Sequence, residues 1–489
     1  MSSLTTVLNI ATSSLSTTST DSSVVARNIA RAGDTNASAK VMGRYTTFDG
    51  GVRPAGINRL ADAALFESAI GASTSSSASQ ARLDALNQLY ATVSDPELEL
   101  SPSGKLAALN SALQDYASAP QNPATGQAVV TAASEMVMTL NSATDVTRQV
   151  RWGADQGIAD AVDSLNRLLG DFDETNEAIM RGMVLGRDVT DLLDQRDTQL
   201  RAISELIDIR TIERDNGDMV IFAGDSLTLY ESGPRDVTFT LSTPLADGAI
   251  GNDVSIDGIP VSTSGLGNGV GGQIGALLSI RDETSITYQR QLDEIARGLI
   301  EVFAETDQSA VPTLPDQVGL FIYSGGPAVP PSGTVVDGLA GQISVNPAAD
   351  PSQGGSIALL RDGGFSGASY IENTAANEGF SDRLLSYAEA LSADRSFDSS
   401  ADIESTVSVL AYASASAAWL AEERTVASVA AESAEIQRDR TNEAWHNAVG
   451  VNIDKEMTTL LDLERSYQAS SRLISTVDAM FNALLQATG

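Results

Sequence analysis

The chain has 489 residues, 64 of them Asp or Glu against 30 Lys or Arg, for a formal charge of -34. That charge argues against nucleic acid and anionic membranes as partners, and the most apolar run, residues 407–421, is serine-studded and too short to cross a bilayer. Cysteine is absent and His446 is the single histidine, which removes disulfides, zinc–thiolate sites, thiol catalysis and any histidine cluster together.

A chain of this length, with 42% hydrophobic residues, is expected to form on the order of two to four domains. Its charge is uneven. The first 60 residues hold Arg27, Arg31, Lys40, Arg44, Arg53 and Arg59 against Asp21, Asp34 and Asp49, a net +3, which leaves the remainder of the -34 chain at about -37. A basic segment on an acidic body either sets the polarity of packing between molecules or is a solvated face.

In chain order, Leu4, Leu8, Ala11, Leu15, Thr18, Ser22, Val25, Ile29 and Ala32 step by fours and threes, the spacing of one helix face. Residues 33–56, with glycines, basic residues and few large apolar side chains, predict an extended or irregular connector. Helix returns over 60–90, where Leu65, Ala69, Ala72, Arg82, Leu86 and Leu89 share a face. Asp95-Pro96 and Ser101-Pro102 punctuate a loop before a short helix at 103–116. From 125 to 209 the pattern is helical, with a break at 182–187 and a second rod over 189–207 returning antiparallel.

At residue 209 the period changes to that of strands. Residues 209–213 and 219–222 flank the Asp215-Asn216-Gly217-Asp218 turn, and strands follow at 226–230, 236–241, 253–256 and 259–262, with turns at Gly224-Asp225 and Asp257-Gly258. One helix is expected over 272–306. The Gly/Pro-rich stretch 309–370 predicts a loop-rich segment beside the β domain, and helices close the chain over 371–392, 403–447 and from Ile453 to the end. In that last helix Met457, Leu460, Glu464, Tyr467, Ser471, Ile474, Asp478, Phe481 and Leu485 repeat the stepping of the first. Two such thin seams can pair, as core helices of a bundle or as assembly surfaces.

The expected fold is therefore mainly α with an inserted β domain. Residues 1–56 and 448–489 form a terminal-helix domain, 57–208, 270–308 and 371–447 a long helical bundle, 209–269 the β insertion, and 309–370 a loop-rich or partly β segment.

Few residues suggest chemistry. His446 beside Trp445 has no local carboxylate to orient it as a base and reads as a helix-surface residue. Gly267-Asn268-Gly269-Val270-Gly271-Gly272 matches G-x-G-x-x-G before a helix, the pattern of a dinucleotide-binding oxidoreductase. No βαβ unit surrounds it, so a linker out of the β domain is favoured. Asp171, Asp173, Glu174 and Glu177 lack the glycine and closing glutamate of a calcium loop and read as a solvated face. No catalytic residue, cofactor or metal ion is expected.

Leu8-Asn9-Ile10-Ala11-Thr12-Ser13-Ser14-Leu15 with Asn28-Ile29-Ala30 resembles the amino-terminal signature of the axial proteins of the bacterial flagellum. Gly450-Val451-Asn452-Ile453-Asp454, Glu456-Met457, Tyr467-Gln468-Ala469, Arg472, Ile474-Ser475-Thr476, Met480 and Leu484-Leu485 resembles their carboxy-terminal signature. The central Gly271-Gly272-Gln273-Ile274-Gly275-Ala276-Leu277-Leu278-Ser279-Ile280-Arg281-Asp282 is similar to the hook-associated family within that group; hook and rod subunits, which share the ends, are the alternative. The chain departs from the family where Arg31-Ala32-Gly33-Asp34-Thr35-Asn36 replaces Asn-x-x-Thr-Pro-Gly-Tyr, and residues 309–370 fall outside the resemblance.

The resemblance implies a structural, non-enzymatic subunit joining hook to filament. It would self-associate in a ring and meet the hook protein, a second hook–filament junction protein and an export chaperone. It would leave the cell through the flagellar type III exporter and reside outside it. Residues 1–20, Ser/Thr-rich with no positive start and no sustained apolar core, give no expectation of a cleaved leader. The assembly surface implied by seam and signature together is Leu4, Leu8, Leu15, Val25, Asn28, Ile29, Ile453, Met457, Leu460, Tyr467, Arg472, Ile474, Met480, Phe481 and Leu484.

Overall fold

Apolar residues at helical period, closed by local stop signals, set the frame of this computed structural model, which describes residues 2–48, 50–93, 101–224, 226–261 and 270–488. The Asp95-Pro96 loop, Asp225 of one expected turn, Ser262 of one expected strand and Gly267 to Gly269 of the glycine motif lie outside the described residues. Helix α1 (Ser2–Ala30) is followed by strands β1 (Lys40–Thr46) and β2 (Val52–Arg59), then by α2 (Ala63–Tyr90), α3 (Pro102–Ser118), α4 (Pro123–Val184) and α5 (Thr190–Leu206). Asp62, Ser101 and Asn122 each accept a backbone N–H at the start of α2, α3 and α4, and proline opens the last two, where its missing N–H costs nothing.

Helix α4 runs 62 residues, roughly 93 Å at 1.5 Å per residue. Its buried face, from Val129 through Leu140, Ile158 and Leu169 to Ile179, is continuous, so one rod serves two cores. It stops at Leu185, and Gly186, at φ +65°, turns the chain back so that α5 runs antiparallel along it.

The connector expected over 33–56 is instead largely an antiparallel hairpin: β1 pairs with β2 from Lys40↔Arg59 to Thr46↔Val52. Its hydrophobic signal is weak because only one face, through Met42, is buried.

The β insertion is a sheet of β3 (Ile209–Glu213), β4 (Met219–Ala223) and β5 (Leu227–Tyr230), then a smaller one of β6 (Val237–Thr238), β7 (Ser255–Ile256) and β8 (Ile259–Pro260). Gly217, at φ +82°, makes the first turn. The second sheet is shorter than expected because side chains take over its backbone groups: Asn252 Nδ2 donates to the Thr240 carbonyl at 3.0 Å, and Asp155 accepts from Ser242 N–H at 2.8 Å.

The single helix expected over 272–306 is α6 (Gly272–Ser279), a π turn at Ile280–Thr284, and α7 (Ser285–Val302). The wide turn aims Arg281 inward, where it donates to Asp155 and Asp282 at 2.6 Å each. Beyond it come β9 (Phe321–Ile322), β10 (Ser344–Val345), α8 (Ala358–Asp362), α9 (Asp382–Ser392), β11 (Arg395–Ser396), β12 (Thr406–Val407), α10 (Val409–Val449) and α11 (Ile453–Thr488). Residues 309–370 are loop-rich as expected, but Leu320, Phe321, Leu339, Ile343 and Leu360 bury them in the helical core with α4 and α7. Helix over 371–381 is displaced by a turn in which Asn373 accepts from Asn377 N–H at 3.0 Å and donates to Asp362 at 2.6 Å. Residues 406–407 pair as a strand before Ser408 caps α10.

Two consequences are measurable. Gly272 opens α6 at φ +72°, and a Cβ there would stand 2.8 Å from the backbone of Leu206 and Ile207, so Gly272→Ala should cost about 1–3 kcal/mol, read as a lower urea midpoint. Asp293, in the core, accepts from Gly338 and Ala340 N–H at 2.8 Å each, yet burial pushes its carboxyl up to about 7. A raised carboxyl favours the folded state in its protonated form, so its stabilisation is complete below about pH 4 and is lost as pH rises through about 7. The urea midpoint of Asp293→Asn should therefore change less between about pH 5 and about pH 7.5 than that of the unaltered chain; equal changes would contradict this.

Candidate functional site

Helices α1 and α11 pack antiparallel: Ser14 Oγ meets Ser470 Oγ at 3.2 Å, and Thr18 and Asp21 lie beside Thr459 and Leu463. The stripe of α11 turned to its partner is Leu460, Leu463, Ser470, Ile474, Val477 and Phe481, alternating threes and fours on a seven-residue repeat once Tyr467 is included. On α1 the matching stripe is Ala11, Ser14, Thr18, Asp21, Val25 and Asn28.

The sequence seam caught half of each stripe. It held Leu460, Ile474 and Phe481 but continued through Glu464, Ser471 and Asp478, one position past the buried Leu463, Ser470 and Val477. On α1 it likewise passed Ser14 and Asp21, which polar side chains disguise. Of the proposed surface, Val25 and Asn28 are buried, and Leu4, Leu8, Leu15, Ile29, Leu460, Ile474 and Phe481 are half-buried. Ile453, Met457, Tyr467, Met480 and Leu484 are 43–53% exposed and Arg472 is exposed; Ile453, Tyr467 and Leu484 continue the seven-residue repeat, whereas Met457, Arg472 and Met480 lie outside it.

Asn28 ties α1 to the hairpin, donating to the Lys40 carbonyl at 2.9 Å and accepting from its N–H at 3.0 Å. The hairpin in turn docks on the start of α5, where Asp188, Asp191, Asp194 and Asp197 recur every third residue. Arg27 meets Asp188 at 2.9 Å, Arg31 meets Asp191 at 2.6 Å and Arg59 meets Asp197 at 2.5 Å. At the centre the Lys40 ammonium pairs with Asp194, both side chains at least 96% buried, and Asp194 also accepts from Ser38 Oγ at 2.6 Å. Burial works against the Arg59 guanidinium, but Asp197 and Asp194 hold its pKa above the ordinary arginine value. Burial likewise works against Asp188, and hydrogen bonds from Thr190 together with Arg27 hold its carboxyl below the usual range.

This aspartate row was not singled out in the sequence. Its signal was available: acids at a spacing of three, on a helix following a break, in a chain whose first 60 residues are basic. The basic segment is therefore neither a free face nor mainly an intermolecular charge. Below the row, Arg201 of α5 lies 4.0 Å from the Trp445 ring centroid and 5.5 Å from that of Phe66, joining α5, α10 and α2.

The other candidates are accounted for locally. The described part of the glycine motif, Val270-Gly271-Gly272, starts α6 under the backbone of Leu206 and Ile207. His446 is half-buried on α10. In the acidic group of α4, Asp173 accepts from Tyr230 Oη at 2.7 Å and Glu177 pairs with Arg181 at 2.6 Å; among the described residues no three potential ligands converge.

Two family descriptions fit this arrangement. Residues 83–320 match the flagellar hook-associated protein FlgK helical domain, and residues 447–487 match the C-terminal region of flagellar basal body rod FlgEFG proteins. Both descriptions are of axial proteins of the bacterial flagellum. The FlgK match takes in residues 83–320, just under half of the chain, and that stretch is a helical domain of the FlgK type.

It is 24% identical over 264 residues to flagellar hook-associated protein 1 of Salmonella typhimurium and, equally, of Salmonella typhi; the match covers 52% of this chain and 46% of theirs. The chain thus spans about half the length of the curated relatives it matches. The solved flagellar hook junction protein FlgK from Burkholderia pseudomallei is similar over 53% of this chain and 47% of that one, at 20% identity and a TM-score of 0.40.

Removing Asp194 should strand Lys40 as a buried, uncompensated charge, at a cost of about 3–5 kcal/mol. In Asp194→Ala, limited proteolysis is expected to cut within residues 31–62 before the body is attacked. The paired replacement Lys40→Met with Asp194→Leu should restore protection. A single variant digested like the unaltered chain would refute the role given to the pair.

Proposed function

We propose that this chain is a structural subunit of the flagellum that joins hook to filament and enters the axis through α1 and α11. The observation that carries the reading is the terminal pair itself: a narrow seven-residue stripe closes the two helices on each other, while Met457 and Met480 stay half exposed on the outside. A long helix with so little burial of its own gains order from neighbours. The match of the body to the FlgK helical domain supports the junction in particular.

On this reading the partners are further copies in a ring, the hook protein, a second hook–filament junction protein and an export chaperone. The chain works outside the cell after type III export, and it catalyses nothing. A hook or rod subunit is the second reading, favoured by the rod-type match of residues 447–487.

A deletion strain separates the two. Hooks without filaments are expected for a junction subunit, whereas loss of the hook itself would point to a hook or rod role. In complementation, Tyr467→Asp or truncation after Gly450 should yield a body with unchanged helical content that no longer attaches filaments. Filament attachment at the normal frequency in both variants would count against assembly through α11.

A further inference from the structure

The outer face of the β1–β2 hairpin is apolar and uncovered. Along β1 the side chains alternate: Met42 is buried and Arg44 turns to Asp21 of α1, whereas Val41 and Tyr45 point away and are half exposed. Phe48, in the connecting turn, is wholly exposed. The register sets Tyr45 opposite Arg53 and Val41 opposite Asn58, with Gly43 facing Gly56 between them. The result is a shallow backbone floor between a valine and a tyrosine, edged by a guanidinium.

Arg53 stands apart from the other basic residues of its segment. Arg27, Arg31, Lys40, Arg44 and Arg59 all have a carboxylate within the molecule; among the described residues Arg53 has none at ion-pair distance. Exposed aromatic rings beside an unpaired arginine have the composition of an interface centre rather than of ordinary surface.

Charge and shape select the occupant. An arginine with two rings suits an apolar surface edged by acids, and α11 carries one: Met457 and Leu461 are exposed there between Asp454 and Glu464. These four positions, three or four residues apart, share the side of α11 away from Leu463, Ser470 and Val477, which face α1. Within one copy the two surfaces cannot meet, because the hairpin and α11 each turn the opposite face toward α1. Between copies they can, and a contact of unlike surfaces repeats from subunit to subunit into a ring or a helical array.

We propose that the outer hairpin face of one copy docks on the Met457 and Leu461 face of α11 in a second copy of this chain. This deepens the assembly reading and rests on it.

The chain has no cysteine, so engineered ones report cleanly. Tyr45→Cys and Leu461→Cys are made in separate full-length chains, mixed at high concentration and oxidised, and also co-expressed and oxidised in isolated flagella. The expected product is the mixed disulfide between copies, at about ten times the yield of Tyr45→Cys with Val426→Cys, an exposed position on α10. Adding Arg53→Glu to the first chain should cut that yield about tenfold, and Glu464→Arg in the second should restore it. Far-UV dichroism of each variant checks that the fold is kept.

Mixed disulfide no higher than the α10 control in both settings, or Tyr45→Cys joined only to Tyr45→Cys, overturns the proposal. If that happens while truncation after Gly450 still blocks filament attachment, the docking surface is wrong and the assembly reading stands. If truncation has no effect either, both fall.

Discussion

A lysine and an aspartate buried against each other, Lys40 and Asp194, fix how the paired ends sit on the body. Taking two ions out of water costs several kcal/mol each, and their attraction offsets this only when the remaining polar atoms are also satisfied. Here they are: Asp194 receives Ser38 N–H, Ser38 Oγ and Arg59, while Lys40 donates to the Thr190 carbonyl at 3.2 Å. The net gain over an apolar pair is small. The discrimination is large, because any other docking of the hairpin on α5 leaves both charges buried and alone. Together with Asn28, which holds the same residue by its backbone, the pair transmits the position of α1 to α5 and through it to the long rod of α4.

The coiled seam obeys the same logic. Its polar members are satisfied sideways, not only across: Asp21 by Arg44, Asn28 by the Lys40 backbone, and Ser14 by Ser470. Two of the six α1 stripe residues, Asp21 and Asn28, therefore serve the hairpin, and α11 is left with Leu463 and Val477 as its well-buried apolar anchors. Polar groups in a seam lower its stability but set its register. A pair fixed in register yet thinly packed is suited to completion by neighbours, since contacts added on the outside need not rearrange those within.

How much of this was legible in the sequence follows from where the burial signal is apolar. Helices α4 and α5, and the turn at Gly217, were readable because Leu, Ile and Val mark the inner faces, Pro123 opens α4 and Gly186 separates the two rods. The hairpin at 40–59 was not, since one of its faces is exposed and the other is held by Asn28 and Arg44 through hydrogen bonds and charge. Position-by-position reading of the seam failed for a related reason: Asp21, Asn28 and Ser470 are buried polar residues, Ser14 is half-buried, and a hydrophobic period steps over them. The π turn at Ile280–Thr284 serves a buried arginine, for which periodicity has no signature. The charge imbalance of the first 60 residues named the cations, and the acids spaced by three from Asp188 to Asp197 offered their partners, but neither pattern says that the two meet.

That imbalance also bears on how copies meet. Four cations of the segment are paired with aspartates of the body, so the charge of about -37 outside residues 1–60 falls to about -33 and stays strongly negative. Two such bodies repel at separations up to about 8 Å at physiological salt, so sideways contact between them is disfavoured. The ends differ. Arg53 on the hairpin, with Lys455, Arg465 and Arg472 among the acids of α11, brings both signs together beside exposed apolar side chains. Burial acts only at short range, so association is confined to surfaces where repulsion does not prevent approach. On the proposed reading, this charge pattern confines contact between copies to the terminal helices and the hairpin.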